Sequence, residues 1–167
     1  PRALIQVKAR GVPVVENGGQ HGGYSMKTIA ALALCLTAST ALGQEAVMTP
    51  FEGSFDDATF TVENEIIGRG LVVDYVSHVG EMLNRTAEDV GSDVTIFDAA
   101  DVFLFCSATV SREVMEADPM NIAHCPYGVF VTEQDGEVMV GHRTYPDGPM
   151  QTVESLLGEF VQAAVGN

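Results

Sequence analysis

Residues 127–144 read YGVFVTEQDGEVMVGHRT, and the fold turns on how this stretch is read. Two strand-like runs, 127–133 and 137–144, flank Gln134-Asp135-Gly136. An Asp-Gly pair between such runs favours a tight hairpin, because both central residues of the preferred turn need positive φ. In the register that pairs Gln134 with Glu137, Val129 lies opposite His142. Strand alternation then sets Cys125, Tyr127, Val129, Val131, Val138, Val140 and His142 on one face. That face is apolar and is expected to meet helices.

Upstream of the hairpin, Ala100 to Cys106 is a run of Val, Phe and Leu broken only by Asp101. It is too continuous for a half-exposed strand, and the expectation is a central strand buried on both faces. Ser107 or Ser111 then opens a helix to about Ala117, which Asp118-Pro119 ends. Earlier still, Leu71 to Val79 is β-rich and reads as a strand, followed by a helix over about Gly80 to Val90. Phe51 to Phe55 reads as a first edge strand, and Asp56 or Asp57 caps a helix through roughly Arg69. Downstream of the hairpin, Val153 to Val165 is an amphipathic helix with Leu156, Leu157, Phe160 and Ala164 on one side. No internal repeat is visible. This order predicts an α+β two-layer sandwich, a largely antiparallel sheet with helices packed on one face.

The N-terminal part reads differently. Residues 1–25 mix Gly, Pro and Val without periodicity and read as an upstream extension foreign to the native protein. From Met26 the pattern is that of an export signal. Lys27 supplies the positive charge, an apolar run follows from Ile29, and Ala41-Leu42-Gly43 offers small residues for cleavage. The apolar run is shorter than the roughly 20 residues that span a bilayer. Residues 26–43 are thus expected to be removed on export to the periplasm, Cys35 with them, leaving no membrane span. Residues 44–50 read as a disordered lead and 51–167 as a single α+β domain.

After Gln44 the chain carries 22 Asp and Glu against four Arg (Arg69, Arg85, Arg112, Arg143) and no Lys. Such a surface repels nucleic acid and anionic lipid. A basic protein partner, a cation or plain solubility in a salty medium fits it.

Two cysteines remain after the leader, Cys106 and Cys125. In an oxidising compartment an even pair in a small domain favours a disulfide. The intervening helix runs back about 15 Å at 1.5 Å per residue. Residues 119–124, if extended, return about 20 Å, which brings both cysteines to the same end of the sheet. A bridge there contributes about 3 kcal/mol. A reversible redox pair or a pair of metal thiolates is the alternative. The spacing is neither Cys-x-x-Cys nor Cys-x-x-Cys-His, so it points neither to a thioredoxin-like oxidoreductase nor to covalent haem.

Three histidines follow the leader: His78, His124 and His142. On the hairpin face His142 shares a layer with Cys125, whereas His124 points away if the strand is regular. A histidine beside Cys, Tyr and Met is a candidate ligand for copper, zinc or a non-covalent haem. The plainer reading is a core histidine bonded to backbone. Met115 and Met120 flank the Asp118-Pro119 corner and, with Tyr127, complete the candidate ligand pocket, plain packing being the alternative. There is no Gly-x-Ser-x-Gly, Gly-rich phosphate loop, His-Glu-x-x-His or EF-hand loop, so the expectation is not an enzyme.

The block Phe105-Cys106-Ser107-Ala108, Ser111-Arg112, Met115, Ala117-Asp118-Pro119, Asn121-Ile122 and Cys125-Pro126-Tyr127 resembles the cysteine-bearing, exported branch of the bacterial domain of unknown function 302 family. The hairpin with Val140-Gly141-His142-Arg143 continues the resemblance, which spans about Phe51 to Tyr145. It implies a compact α+β domain that often self-associates, so a homodimer stays open, and it implies no activity. His142 stands where relatives often carry an aromatic residue. Three functions remain: a periplasmic non-catalytic binding or accessory domain holding haem, a metal or a small apolar ligand near Cys125 and His142; a thiol-disulfide redox protein using Cys106 and Cys125; and an acidic module that docks a basic protein.

Overall fold

A computed structural model of the protein describes residues 45–166. The extension, the leader and Cys35 lie outside the described residues. The elements are β1 (Ala46–Pro50), α1 (Phe55–Gly68), β2 (Val73–Ser77), α2 (Val79–Thr86), β3 (Ala99–Phe105), α3 (Ala108–Ala117), β4 (Tyr127–Gln134), β5 (Glu137–Arg143) and α4 (Gln151–Val165). Short 3-10 turns cover Glu88–Val90 and Pro119–His124. The strands form one sheet in the order β1-β5-β4-β3-β2, and every neighbouring pair is antiparallel. The α+β two-layer sandwich is therefore the fold.

The hairpin forms as its sequence predicts. Gln134 pairs with Glu137 and Val129 with His142. Asp135 and Gly136 take φ of 54° and 78°, the positive values that Asp tolerates and Gly adopts freely. The Asp98 carboxylate accepts from Asp135 N at 2.8 Å, tying the turn to the residue before β3.

Two strand expectations need correction. The first strand is Ala46–Pro50, in the stretch read as a disordered lead, while residues 51–54 form the corner into α1. The reason is the outer edge of β5, whose backbone groups need partners once its side chains are buried. Ala46 to Pro50 supplies them against Arg143 to Met139, and Phe51 N extends the ladder to Val138 O at 2.9 Å. Phe51 and Phe55 pack on the core from either side of the corner. The second correction concerns β3, which is covered by helices on one face and not two. Phe103 and Phe105 join the core, whereas Ala100, though buried, lies outside it. Residues 119–124 are likewise a 3-10 turn and not an extended return.

Local chemistry explains the helix ends. Ser54 caps α1 in a reciprocal box with Asp57: Asp57 N donates to Ser54 Oγ at 3.1 Å, and Ser54 N donates to the Asp57 carboxylate at 3.3 Å. The hydrogen bonds from Ser54 hold the Asp57 carboxyl below its ordinary value. Ser107 caps α3, its side chain accepting from Val110 N, and Asp118 closes it before Pro119.

The core sits between the sheet and α1 with α4. Ala58, Val62 and Ile66 of α1 and Val153, Leu157, Phe160, Val161 and Ala164 of α4 meet Val129, Val131 and Val140 of the hairpin. Phe160 packs edge-on against Phe105 with centroids 5.3 Å apart. The Arg69 guanidinium lies over the Phe160 ring, 4.5 Å from its centroid, and donates to Glu159, pinning the end of α1 to α4. We expect Phe160→Ala to cost about 3–5 kcal/mol, since it empties the contact between both helices and β3. Arg69→Ala should cost about 1 kcal/mol, since its ion pair is largely solvated. Urea titrations of the two variants check the ranking.

Candidate functional site

Two places on the domain have the chemistry to serve a function. The first is the cysteine corner. The Phe105–Tyr127 pair ends the β3–β4 ladder, so Cys106 leaves β3 just where Cys125 approaches β4. Their Sγ atoms are 2.8 Å apart. Both thiols are half-buried. Burial, reinforced by the hydrogen bond and charge of Cys125, pushes the Cys106 thiol up to about 12. The corner is walled by two tyrosines. The Tyr127 hydroxyl accepts from Ser111 Oγ at 3.1 Å, and burial raises its pKa. The Tyr145 ring stands edge-on to both His124 and Tyr127. Tyr145 is 7% exposed, and its hydroxyl is the buried side-chain polar atom without a hydrogen-bond partner among the described residues. Burial lifts that phenol to about 12.

The other residues singled out from sequence are scattered. His142 is 3% exposed in the helix-facing layer, and its Nδ1 donates to the Arg143 carbonyl at 2.9 Å, which is the bonding of a core histidine. Nε2 tucks beneath α4, where a Cβ on Gly158 would lie 3.7 Å away. His78 precedes α2 and bonds Asp101 Oδ1 through Nδ1 at 2.8 Å. His124 ends the 3-10 turn against Tyr145. Met115 packs on the core, while Met120 is 70% exposed. Among the described residues, no three His, Cys, Asp or Glu side chains gather to hold a metal.

The second place is the sheet face opposite α1 and α4. Strand alternation turns Met48, Met139, Phe130, Thr132, Ala100 and Val102 to this side, where they line a trough of about 700 Å³. The register runs Met48–Gly141–Phe130–Val102 straight across four strands. Gly141 makes the floor possible. A Cβ there would stand 2.7 Å from Met48 Sδ and 2.8 Å from the Phe130 ring, so any side chain would lift both off the backbone. Val79 and Phe97 close one side. Asp135 and Glu137 belong to the lining as well, and no Lys, Arg or His does. Asp101 borders it, but it pairs with the core residue Val131 and its carboxylate meets His78.

Sequence reasoning missed the trough, yet its signal was present. In β3 and β4 the outward set (Ala100, Val102, Leu104, Phe130) is as apolar as the inward one. For Ala100 to Cys106 the pattern gives the expectation of burial on both faces, but helices cover one face only.

A single antiparallel sheet with helices on one face and an apolar trough on the other defines a small α+β sandwich. The chain belongs to the family described as Domain of unknown function DUF302, which matches residues 47–147. A solved structure described as "Crystal structure of uncharacterized conserved protein DUF302 from Bacillus stearothermophilus" is similar to it. The two share 14% identity with a TM-score of 0.49, over 72% of this chain and 88% of that one. No curated protein matches the sequence.

The thiol geometry has a pH consequence. In the reduced protein the folded state holds Cys106 protonated, its value rising from 9.0 to about 12. The unfolded chain therefore releases that proton first, and stability present below pH 9.0 is lost as pH climbs towards about 12. Tyr127 and Tyr145 add an alkaline loss in either redox form. We expect the melting temperature to fall between about pH 8 and about pH 11 more steeply with reductant than in the oxidised protein. Parallel curves would mean that Cys106 is not the buried thiol described.

Proposed function

We propose that the chain is an exported, non-catalytic binding domain of the cysteine-bearing branch of its family, working in the periplasm once residues 26–43 are removed. One observation carries the reading: the trough of about 700 Å³ with its apolar floor. That volume lies within the range of about 300–1,000 Å³ typical of small-molecule sites. Its lining offers apolar side chains and carboxylates, which suit an organic ligand. Haem iron or a soft transition metal calls for imidazole or thiolate donors beside any thioether, and the trough lining holds the thioethers of Met48 and Met139 but no His or Cys. The ligand site thus moves from the neighbourhood of Cys125 and His142 to the opposite face of the same strands.

In this reading Cys106 and Cys125 form a structural disulfide, favoured by Sγ atoms 2.8 Å apart at the junction of β3, α3 and β4. The same pair supports a redox role less well. A thiol held near 12 is almost wholly protonated at neutral pH, and only thiolate attacks a disulfide. Cys106 would be a slow nucleophile. Loss of the bridge is expected to cost about 3 kcal/mol, equally from Cys106→Ser and Cys125→Ser.

The test is binding of a neutral solvatochromic dye such as Nile red to protein recovered from its own periplasm, with intact mass and thiol count taken on the same sample. A chain starting near Gln44, no titratable thiol and saturable dye emission are expected. Phe130→Ser should weaken dye binding about tenfold, whereas Cys125→Ser should leave it unchanged. Dye binding that survives Phe130→Ser but disappears with His142→Ala would return the site to the helix-facing layer and end the trough reading.

A further inference from the structure

We infer that the ligand of the trough is a small cationic amphiphile, an apolar body carrying an ammonium or guanidinium head. The inference rests on the trough reading above and adds the ligand's charge and orientation. Its ground is the uneven distribution of chemistry along the cavity. Met48, Phe130 and Val102, in one row across the sheet, make the middle wholly apolar, with Gly141 beneath. The carboxylates all belong to the end at the β4–β5 turn. Asp135 is in the turn and Glu137 opens β5. Asp98 accepts from Asp135 N but lines the neighbouring hollow with Arg85.

This acidic end is poorly neutralised. Asp101, whose register partner is the core residue Val131, turns its carboxylate to His78 at 2.8 Å on the other face and is not part of it. Among the described residues no ion pair is formed by Asp98, Asp135 or Glu137. Carboxylates beside an apolar wall act in a lower effective dielectric than free water provides, which strengthens their attraction for a cation docked there. An anionic ligand meets only repulsion from them. A neutral ligand gains the floor and wastes the rim. A cationic head at the turn end with its apolar body over Phe130 satisfies both parts of the cavity.

The same charge argues against a second copy as the occupant. Stacking two open faces brings together two acidic rims, each on a chain with 22 acids and four Arg after Gln44. Like-charge juxtaposition opposes that face-to-face contact. Nor does a basic peptide suit the cavity as well. Peptides that join a sheet add along an edge strand, where backbone groups are free, whereas the trough lies across the middle of the face.

The experiment compares three ten-carbon probes by calorimetry below their micelle concentrations: decylammonium, decanol and decanoate. On the wild-type disulfide-bonded domain, decylammonium should bind about tenfold more tightly than decanol and decanoate most weakly, the advantage shrinking with added salt. The surface variant Asp135→Asn with Glu137→Gln should abolish most of the advantage of decylammonium over decanol at unchanged melting temperature. Phe130→Ser, checked for folding by its melting curve, should weaken decylammonium and decanol alike. Equal affinity for decylammonium and decanol, both lost in Phe130→Ser, would overturn the cationic assignment and leave the trough standing. Failure of every probe to bind would overturn the trough reading itself. A dimer by sedimentation that Phe130→Ser dissociates would overturn both, making the second copy the occupant.

Discussion

The β4–β5 ladder is the member on which everything else is built. Its turn takes positive φ at Asp135 and Gly136 and sets a two-residue register that leaves no slack. Once that register exists, every residue from Tyr127 to Arg143 has a face. The inward set seats α1 and α4, and the outward set becomes the trough floor. The ladder's two free sides then recruit the remaining strands. β3 joins β4 and β1 joins β5 because a strand buried on one face still has backbone donors and acceptors along both edges. A loop one residue longer or shorter would turn β5 over relative to β4, sending Met139 towards the core and His142 towards the trough.

The asymmetry of the sandwich has a compositional origin. The described chain has two helices of 14 and 15 residues, α1 and α4, enough to cover one side of five strands. The shorter α2 and α3 flank the sheet and do not form a second layer. Apolar side chains nevertheless occupy both sides of β3 and β4. On the uncovered side Phe130, Met139 and Val102 shelter one another across strands and over Gly141, which removes part of their surface from water without any covering element. The remainder is unspent hydrophobic contact, and that remainder is the physical basis of the binding reading.

The cysteine corner and the trough illustrate two ways in which a small domain uses chemistry. At the corner, burial and mutual proximity hold the Cys106 thiol in its protonated form, which fits the proposed role of tying β3, α3 and β4 together better than a reactive one. The tyrosines around them are similarly held in their neutral forms. At the trough, acids collect at one end of an apolar floor and remain largely without cationic partners. Under the proposed reading, the surface charge expected to repel nucleic acid and anionic lipid serves, at that one place, to discriminate among small ligands.

The hairpin, the capping of α3 by Ser107, the stop at Asp118-Pro119 and the amphipathic face of α4 were legible because each depends on neighbours in sequence: turn dihedrals, cap hydrogen bonds and helical periodicity. Cys106 and Cys125 do converge, but not by the route the element lengths implied, since residues 119–124 are a 3-10 turn and not the extended return that expectation needed. Three features lay beyond that reach. Ala46–Pro50 has little strand character of its own and is a strand because β5 offers it an unpaired edge. His142 shares the layer of Tyr127 and Val129, but only packing under Gly158 and the bond to the Arg143 carbonyl decided that it is a core residue. The trough depends on how many layers cover the sheet, which no local pattern records. By itself the sequence determined the pieces and which side chains share a face, because those follow from backbone geometry over a few residues. Tertiary structure alone decided which face is covered and which stays open, because that rests on where helices distant in sequence come to lie.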